Sequence, residues 1–263
     1  MVVVKIGGGK DINLKGIAAD LKNIDDSVVV VLGANSLRDD IAKKMDYEKK
    51  VITSISGYDS VFSDTNTIDL MMMVYSGLRS KRFVELCQQN GVNAFGFSGV
   101  DGKMIVGKRN SGIRIREDGK TKIVRDFSGK PVSINVEMFN YFLSNKIIPV
   151  ITVPLIDENN FAINSENDDV VSLLHSELKA DKIIQLIEAP GLLIDKNNPS
   201  TLIKEMSSKE MIEFENKVDG RMKRKIHAIN KLFEVGETEL IITDGRTDNP
   251  VTNAINKIGT YIK

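Results

Sequence analysis

The chain has 263 residues, enough for one large domain or two lobes around a sizeable core, and its 36 Lys plus Arg balance 36 Asp plus Glu, which argues against a general nucleic-acid binder while allowing a local basic patch. Its 41% hydrophobic content is that of a soluble globular protein, and neither a run of the roughly 18 apolar residues that a membrane span needs nor a basic leader with a cleavage site is present. A single cysteine, Cys87, points to a reducing cytoplasm, and His175 and His227 lie far apart with no cysteine near them, against a His/Cys zinc site.

Met1 to Val4 is an apolar run that reads as a buried strand, with Lys5 inside it and Gly7, Gly8 and Gly9 directly after. A lysine in a buried strand is costly unless an anion meets it, and bare glycine N–H groups can approach a phosphate closely. Val28–Leu32 is a second strand, ending in Gly33-Ala34-Asn35, and Ser36 is placed to cap a helix over Leu37–Met45. Asn66–Gln89 has the spacing of a long helix through Ile68, Met71, Met72, Tyr75 and Leu78, a face suited to a core or a dimer interface. Asn93–Phe97 is a third strand. Met104–Gly107, Ile113–Arg116 and Lys122–Arg125 read as short strands, with a hairpin turn over Glu117-Asp118-Gly119-Lys120.

Val132–Leu143 is expected to be helical, Ile147–Val153 a strand, and Ile156–Glu166 a connection suited to a hinge. Asp168–Leu178 is a helix, Lys182–Ile187 a strand, Val218–Phe233 a helix, Leu240–Thr243 a strand and Asn249–Lys257 a final helix. Strands alternating with helices predict an α/β protein, a three-layer α-β-α sandwich with a mainly parallel central sheet.

No Walker A loop and no GxGxxG after a strand occur, so a phosphate site must be built otherwise. Three segments offer one. They are Lys5 with its glycines, the acidic helix start Asn164-Ser165-Glu166-Asn167-Asp168-Asp169, and the basic turn Gly220-Arg221-Met222-Lys223-Arg224-Lys225 at a helix N-terminus. Two lysines from distant segments and an aspartate orienting them would supply what phosphoryl transfer needs, since positioned charge does most of that work.

The order of these segments, with MVYSGLRSKRFVEL, GVNAFGFSGVDGK, EAPGLL, GRMKRK and DGRTDNPV, resembles the amino acid kinase family over the whole chain. The branch it most resembles holds acetylglutamate-kinase-like enzymes that act on carboxylates attached to the carrier protein LysW. The resemblance implies ATP with Mg²⁺ as cofactors, an acceptor lobe over residues 1–165 and a nucleotide lobe over 166–263. It matches Lys5 and Lys225 to the two phosphate lysines, Asp168 to the aspartate that orients them, Gly8 to a phosphoryl-binding glycine and Asn164 to a substrate-binding asparagine. Glu188, Ala189, Pro190, Gly191 and Leu192, with Gly220 and Met222, match the nucleotide side, although the family usually has Asp or Asn at position 188.

Beside position 188 and the milder change of the family's Asp-Gly-Asp to Glu166-Asn167-Asp168, two matches depart from the family. Its His-Gly-Gly loop is Leu32-Gly33-Ala34-Asn35 here, placing two Cβ atoms where substrate would approach bare backbone. The arginine that pairs with the substrate α-carboxylate falls at Val61, which cannot replace a guanidinium fork, while Arg38 or Arg79 are candidates to compensate. Between Lys103 and Lys130, nine basic residues face Glu117, Asp118 and Asp126, an excess of six charges that could steer an acidic carrier. The expected activity is phosphorylation of a side-chain carboxylate to an acyl phosphate, with LysW-linked aminoadipate or glutamate as acceptor, in a cytoplasmic homodimer of lysine or arginine biosynthesis. N-acetylglutamate, another small acceptor, or a non-catalytic nucleotide-binding regulator are the alternatives.

Overall fold

Val2–Ile6 (β1) and Val28–Leu32 (β2) are near-continuous apolar runs, as expected of parallel strands covered on both faces. In the computed structural model they lie side by side at the middle of an eight-stranded sheet. The structure describes every residue except Ser56, Tyr58, Asp118, Lys196, Lys217 and Asp219, and gives the helical backbone alone for Gly220, Arg221, Met222, Arg224 and Lys225.

After β1 come α1 (Leu14–Asp20), β2, α2 (Asn35–Lys44), β3 (Val51–Thr53) and β4 (Asp59–Val61). A long helix follows as α3 (Thr65–Met71), a π-helical stretch (Met72–Arg79) and α4 (Ser80–Gln89). Next are β5 (Ala94–Ser98), β6 (Ile105–Arg109), β7 (Ile113–Glu117), β8 (Lys120–Val124), β9 (Gly129–Ile134), α5 (Val136–Ser144) and β10 (Ile148–Thr152). The chain continues through β11 (Leu155–Ile156), β12 (Ala162–Ile163), α6 (Asn167–Leu178), β13 (Lys182–Ile187), β14 (Glu205–Met206) and α7 (Ser208–Glu215). It finishes with α8 (Gly220–Glu234), β15 (Glu239–Asp244), α9 (Pro250–Ile255) and β16 (Thr260–Ile262).

The large sheet has the order β14-β16-β15-β13-β1-β2-β10-β5 and is parallel except where β16 runs against β15. Alternate side chains of each strand enter opposite layers. Val3, Val29, Ile183 and Ile242 pack with Val170 and Leu174 of α6 and Ile226 and Ile229 of α8. Val2, Val4, Val30 and Ile184 pack with Ile17 of α1, Phe83 of α4 and Val251 of α9. This is the expected three-layer sandwich. Beside it lie a small sheet, β12-β11-β6-β9, and the hairpins β3–β4 and β7–β8. The segment expected as a hinge, 156–166, contributes to the small sheet, where Ile163 is fully buried. Among the described residues no helix is long and apolar enough to cross a membrane.

Two expectations need correction. Ser36 does not cap α2. The helix begins at Asn35, and the Ser36 N–H donates to the Gly8 carbonyl at 2.9 Å, so contact between two glycine loops sets this helix start. Val132–Leu143 is not one helix either. Val132 to Ile134 end β9, and Asn135 caps α5 by accepting the Met138 N–H. Cys87 is buried in the α1–α4 layer, and burial pushes its thiol up to about 12. It is expected to resist a disulfide reagent at pH 8 until the protein unfolds. Reaction of the native protein at the rate of a free thiol would contradict this packing.

Candidate active site

β1 is where the order of the large sheet changes direction, with β2 on one side and β13 on the other, and ligands of open α/β sheets bind beyond the strand C-termini at such a point. Strand parity puts Lys5 on the same face as Val3, the face covered by α6. Lys5 Nζ meets Asp168 Oδ1, in the first turn of α6, at 2.5 Å. The carboxylate also suits the positive end of that helix. The anion that a strand lysine requires thus comes from 163 residues away.

Beyond Lys5 the two glycine loops touch through backbone. A Cβ on Gly8 would stand 2.5 Å from Asn35 N and 2.8 Å from Ala34 N, and one on Gly33 would stand 2.7 Å from Gly8 N. Gly33 N–H is bonded to the Ile6 carbonyl at 2.9 Å, whereas the Gly8 N–H meets no acceptor among the described residues. The π-helical stretch holds the second loop from outside. Arg79 Nε donates to the Gly33 carbonyl at 3.2 Å, and the Tyr75 hydroxyl donates to Asn35 Oδ1. Burial pushes the Tyr75 phenol up to about 12, so it stays a donor. Of the two Cβ atoms expected to obstruct the loop, that of Ala34 is instead fully buried in the core, and Asn35 alone reaches the cavity beyond.

That cavity has a volume of about 460 Å³. Lys5, Gly8, Gly33, Asn35, Val61, Asn164 and Asp168 all line it, so four segments distant in sequence meet at one place. Asn164 Nδ2 donates to Ser63 Oγ at 3.0 Å, and buried Asp126 accepts the Ser63 N–H at 3.0 Å and the Ser128 hydroxyl at 2.5 Å. These bonds tie β4, with Val61, to β9 and to the approach of α6. Asp126 and Tyr75 were not singled out for the site. Tyr75 carried a readable signal, because a tyrosine on a buried helix face needs a partner for its hydroxyl.

The segment after β13 lies on the other side of Lys5. The Glu188 carboxylate packs on Gly9 and accepts the Asp11 N–H at 2.6 Å, with Ala189 and Pro190 half-buried next to it. Gly191 has φ +156°, where a Cβ would stand 2.9 Å from Thr260 N, and the Leu192 N–H donates to Thr260 Oγ1 at 2.8 Å. Leu192, Lys5, Asp168 and Ile229 of α8 share a small cavity of about 70 Å³. Gly220, Met222 and Lys225 are on α8, and beyond the helical backbone these positions lie outside the described residues.

A family profile described as the amino acid kinase family matches residues 1–244. The chain belongs to the amino acid kinase family. It is 31% identical to the LysW-aminoadipate kinase of Thermus thermophilus, over 100% of both chains. It is 30% identical to the LysW-aminoadipate/LysW-glutamate kinase of Saccharolobus solfataricus, over 100% of this chain and 99% of that one. The structure of N-acetylglutamate synthase from Neisseria gonorrhoeae, complexed with coenzyme A and N-acetyl-glutamate, superposes with a TM-score of 0.78 at 18% identity. The match covers 99% of this chain and 58% of that one, and it is a likeness of fold.

In this amino acid kinase the basic segment splits into two parts. Arg109 is engaged, its guanidinium 3.9 Å from the Phe127 ring centre and its Nε bonded to the Asp126 carbonyl. On the β7–β8 hairpin Arg114, Arg116, Lys120 and Lys122 are exposed, and Lys122 pairs with Glu117 at 2.5 Å.

Proposed function

We propose that the protein transfers the γ-phosphoryl group of ATP to a side-chain carboxylate, giving an acyl phosphate and ADP. The observation that carries this reading is the Lys5–Asp168 pair at the sheet's switch point, beside two touching loops whose Gly8 and Gly33 leave no room for a Cβ and at the edge of a cavity. In the proposed reaction a carboxylate oxygen of the acceptor attacks the γ-phosphorus as the bond to the β-phosphate oxygen breaks. Lys5, aimed by Asp168, neutralises charge on the transferring oxygens, and the unengaged Gly8 N–H donates to them. Lys225 is the second lysine of this scheme, and Glu188 to Leu192 with Gly220 and Met222 form the nucleotide side. Mg²⁺ would be carried mainly by the nucleotide phosphates and would neutralise charge on them.

The acceptor we assign is aminoadipate or glutamate linked to LysW. The names of the relatives support this, as do the exposed cations of the β7–β8 hairpin, which suit an acidic carrier. We place the reaction in the cytoplasm, with residues 1–165 as acceptor lobe and 166–263 as nucleotide lobe. The assigned form is a homodimer, and exposed Met72, Met73 and Leu78 offer an apolar face for a second copy. Val61 favours a second reading, a nucleotide-binding regulator, whereas the intact Lys5–Asp168 pair favours the enzyme.

ADP release measured with ATP, Mg²⁺ and each candidate acceptor tests this. Carrier-linked acceptors are expected to give turnover whose apparent association weakens as salt shortens the Debye length from about 10 Å to about 3 Å. Reversing Arg114, Arg116 and Lys122 to glutamate is expected to slow carrier association at unchanged ATP affinity. Efficient, salt-insensitive phosphorylation of free N-acetylglutamate, with no response to a carrier-linked acceptor, would replace the carrier reading with a small-molecule kinase.

A further inference from the structure

We infer that Arg38 fixes the second carboxylate of the acceptor, the one that is not phosphorylated, so that the site selects dicarboxylates; this rests on the carboxylate-kinase reading above. The cavity wall carries five carboxylates, Asp59, Asp126, Glu166, Asp168 and Asp169. An acceptor with two negative charges is repelled there unless a cation meets its far end. The described cations of the wall are Lys5, Arg38 and Lys130. Lys5 is paired with Asp168 at the phosphoryl end, and Lys130 is exposed on β9. Arg38 is 9% exposed, one turn into α2 on the acceptor side of the second glycine loop.

Its guanidinium is already oriented. Nε at 2.9 Å and Nη2 at 2.8 Å both donate to Asp39 Oδ1, while Asp39 Oδ2 accepts from Lys49 Nζ at 2.9 Å. Two cations share one carboxylate, so the cluster keeps one positive charge. Burial alone would raise the Asp39 carboxyl, but the hydrogen bonds from Lys49 and Arg38 hold it below its ordinary range, and it stays ionised. The Nη1 edge of Arg38 has no hydrogen-bond partner among the described residues. A guanidinium held along one edge with donors left on another is pre-organised for a carboxylate. Arg79, the other candidate, does not line the cavity: its Nε is committed to Gly33, and its buried Nη2 has no partner. Val61 faces the same cavity without charge.

The test compares N-acetylglutamate with 4-acetamidobutyrate, which lacks the second carboxylate, by calorimetric binding and by hydroxamate trapping of acyl phosphate. Wild type is expected to prefer the dicarboxylate by about 30- to 100-fold, the scale of one lost charge-assisted fork. In Arg38→Gln that preference should vanish while ATP affinity stays within about twofold, and in Arg38→Gln/Val61→Arg it should return. An unchanged preference in a folded Arg38→Gln protein overturns the assignment of Arg38, as does a wild type that shows no preference. Binding preference lost in Arg38→Gln, with no acyl phosphate formed by wild type from any carboxylate acceptor, free or carrier-linked, overturns the kinase reading and leaves the role of Arg38 in recognition standing.

Discussion

Replacing Lys5 by alanine is expected to lower kcat by about 10²- to 10³-fold, the scale for losing one positioned donor to a transition state. The strand should survive the change. Lys5 is half-buried and its partner Asp168 is 41% exposed, so water can take over the carboxylate that the ammonium leaves. The melting temperature of Lys5→Ala should therefore stay within a few degrees of wild type. Lys225→Ala is expected to lose turnover on the same scale. A folded Lys5→Ala protein with undiminished ADP release would remove the phosphoryl site from the end of β1.

Gly8→Ala is expected to lose both activity and stability. Its Cβ would stand 2.5 Å from Asn35 N and 2.8 Å from Ala34 N, and both are backbone atoms that cannot rotate away. Either the loop after β1 or the start of α2 must shift. Such overpacking costs about 1–3 kcal/mol, and a displacement near 1 Å at the reacting groups costs about 10²-fold in rate. Gly77→Ala is the control, since its Cβ meets the Met72 carbonyl at an ordinary 3.5 Å and alanine lowers the backbone entropy of the unfolded chain. It should leave kcat unchanged and the melting temperature equal or higher. Wild-type turnover in Gly8→Ala would mean that the glycine contact does not shape the reaction.

The centre of the sheet was legible because its strands are buried on both faces. Val28–Leu32 and Lys182–Ile187 stand as expected, to the residue. The demand of Lys5 for an anion was legible in the residues, but the choice of Asp168 as its partner came from the family resemblance, and the structure brings the two together. The β9–α5 boundary was not, because Val132 to Leu143 is apolar enough for either element and the pairing of β9 with β6 decides it. Helix α7 was overlooked although Ser207 and Glu210 form a capping box that its sequence announces. The direction of Ala34 and the burial of Arg38 follow from how α2 docks against the π-helical stretch, and local sequence carries no signal for either.

The position of β1 between β2 and β13 also bears on how the chain is made. Pairing with Val28–Leu32 can form early in synthesis, but the other edge of Val2–Ile6 waits for Lys182–Ile187. At about 5–20 residues per second, the intervening stretch takes on the order of 10 s to emerge. Throughout that time an apolar strand has one side unpaired, the configuration that invites pairing with a neighbouring nascent chain. Lys5 is the one charged side chain in that strand, and while Asp168 is still unmade its ammonium works as a gatekeeper against aggregation. On the proposed reading, the same lysine guards the strand during synthesis and meets phosphate once the protein is complete.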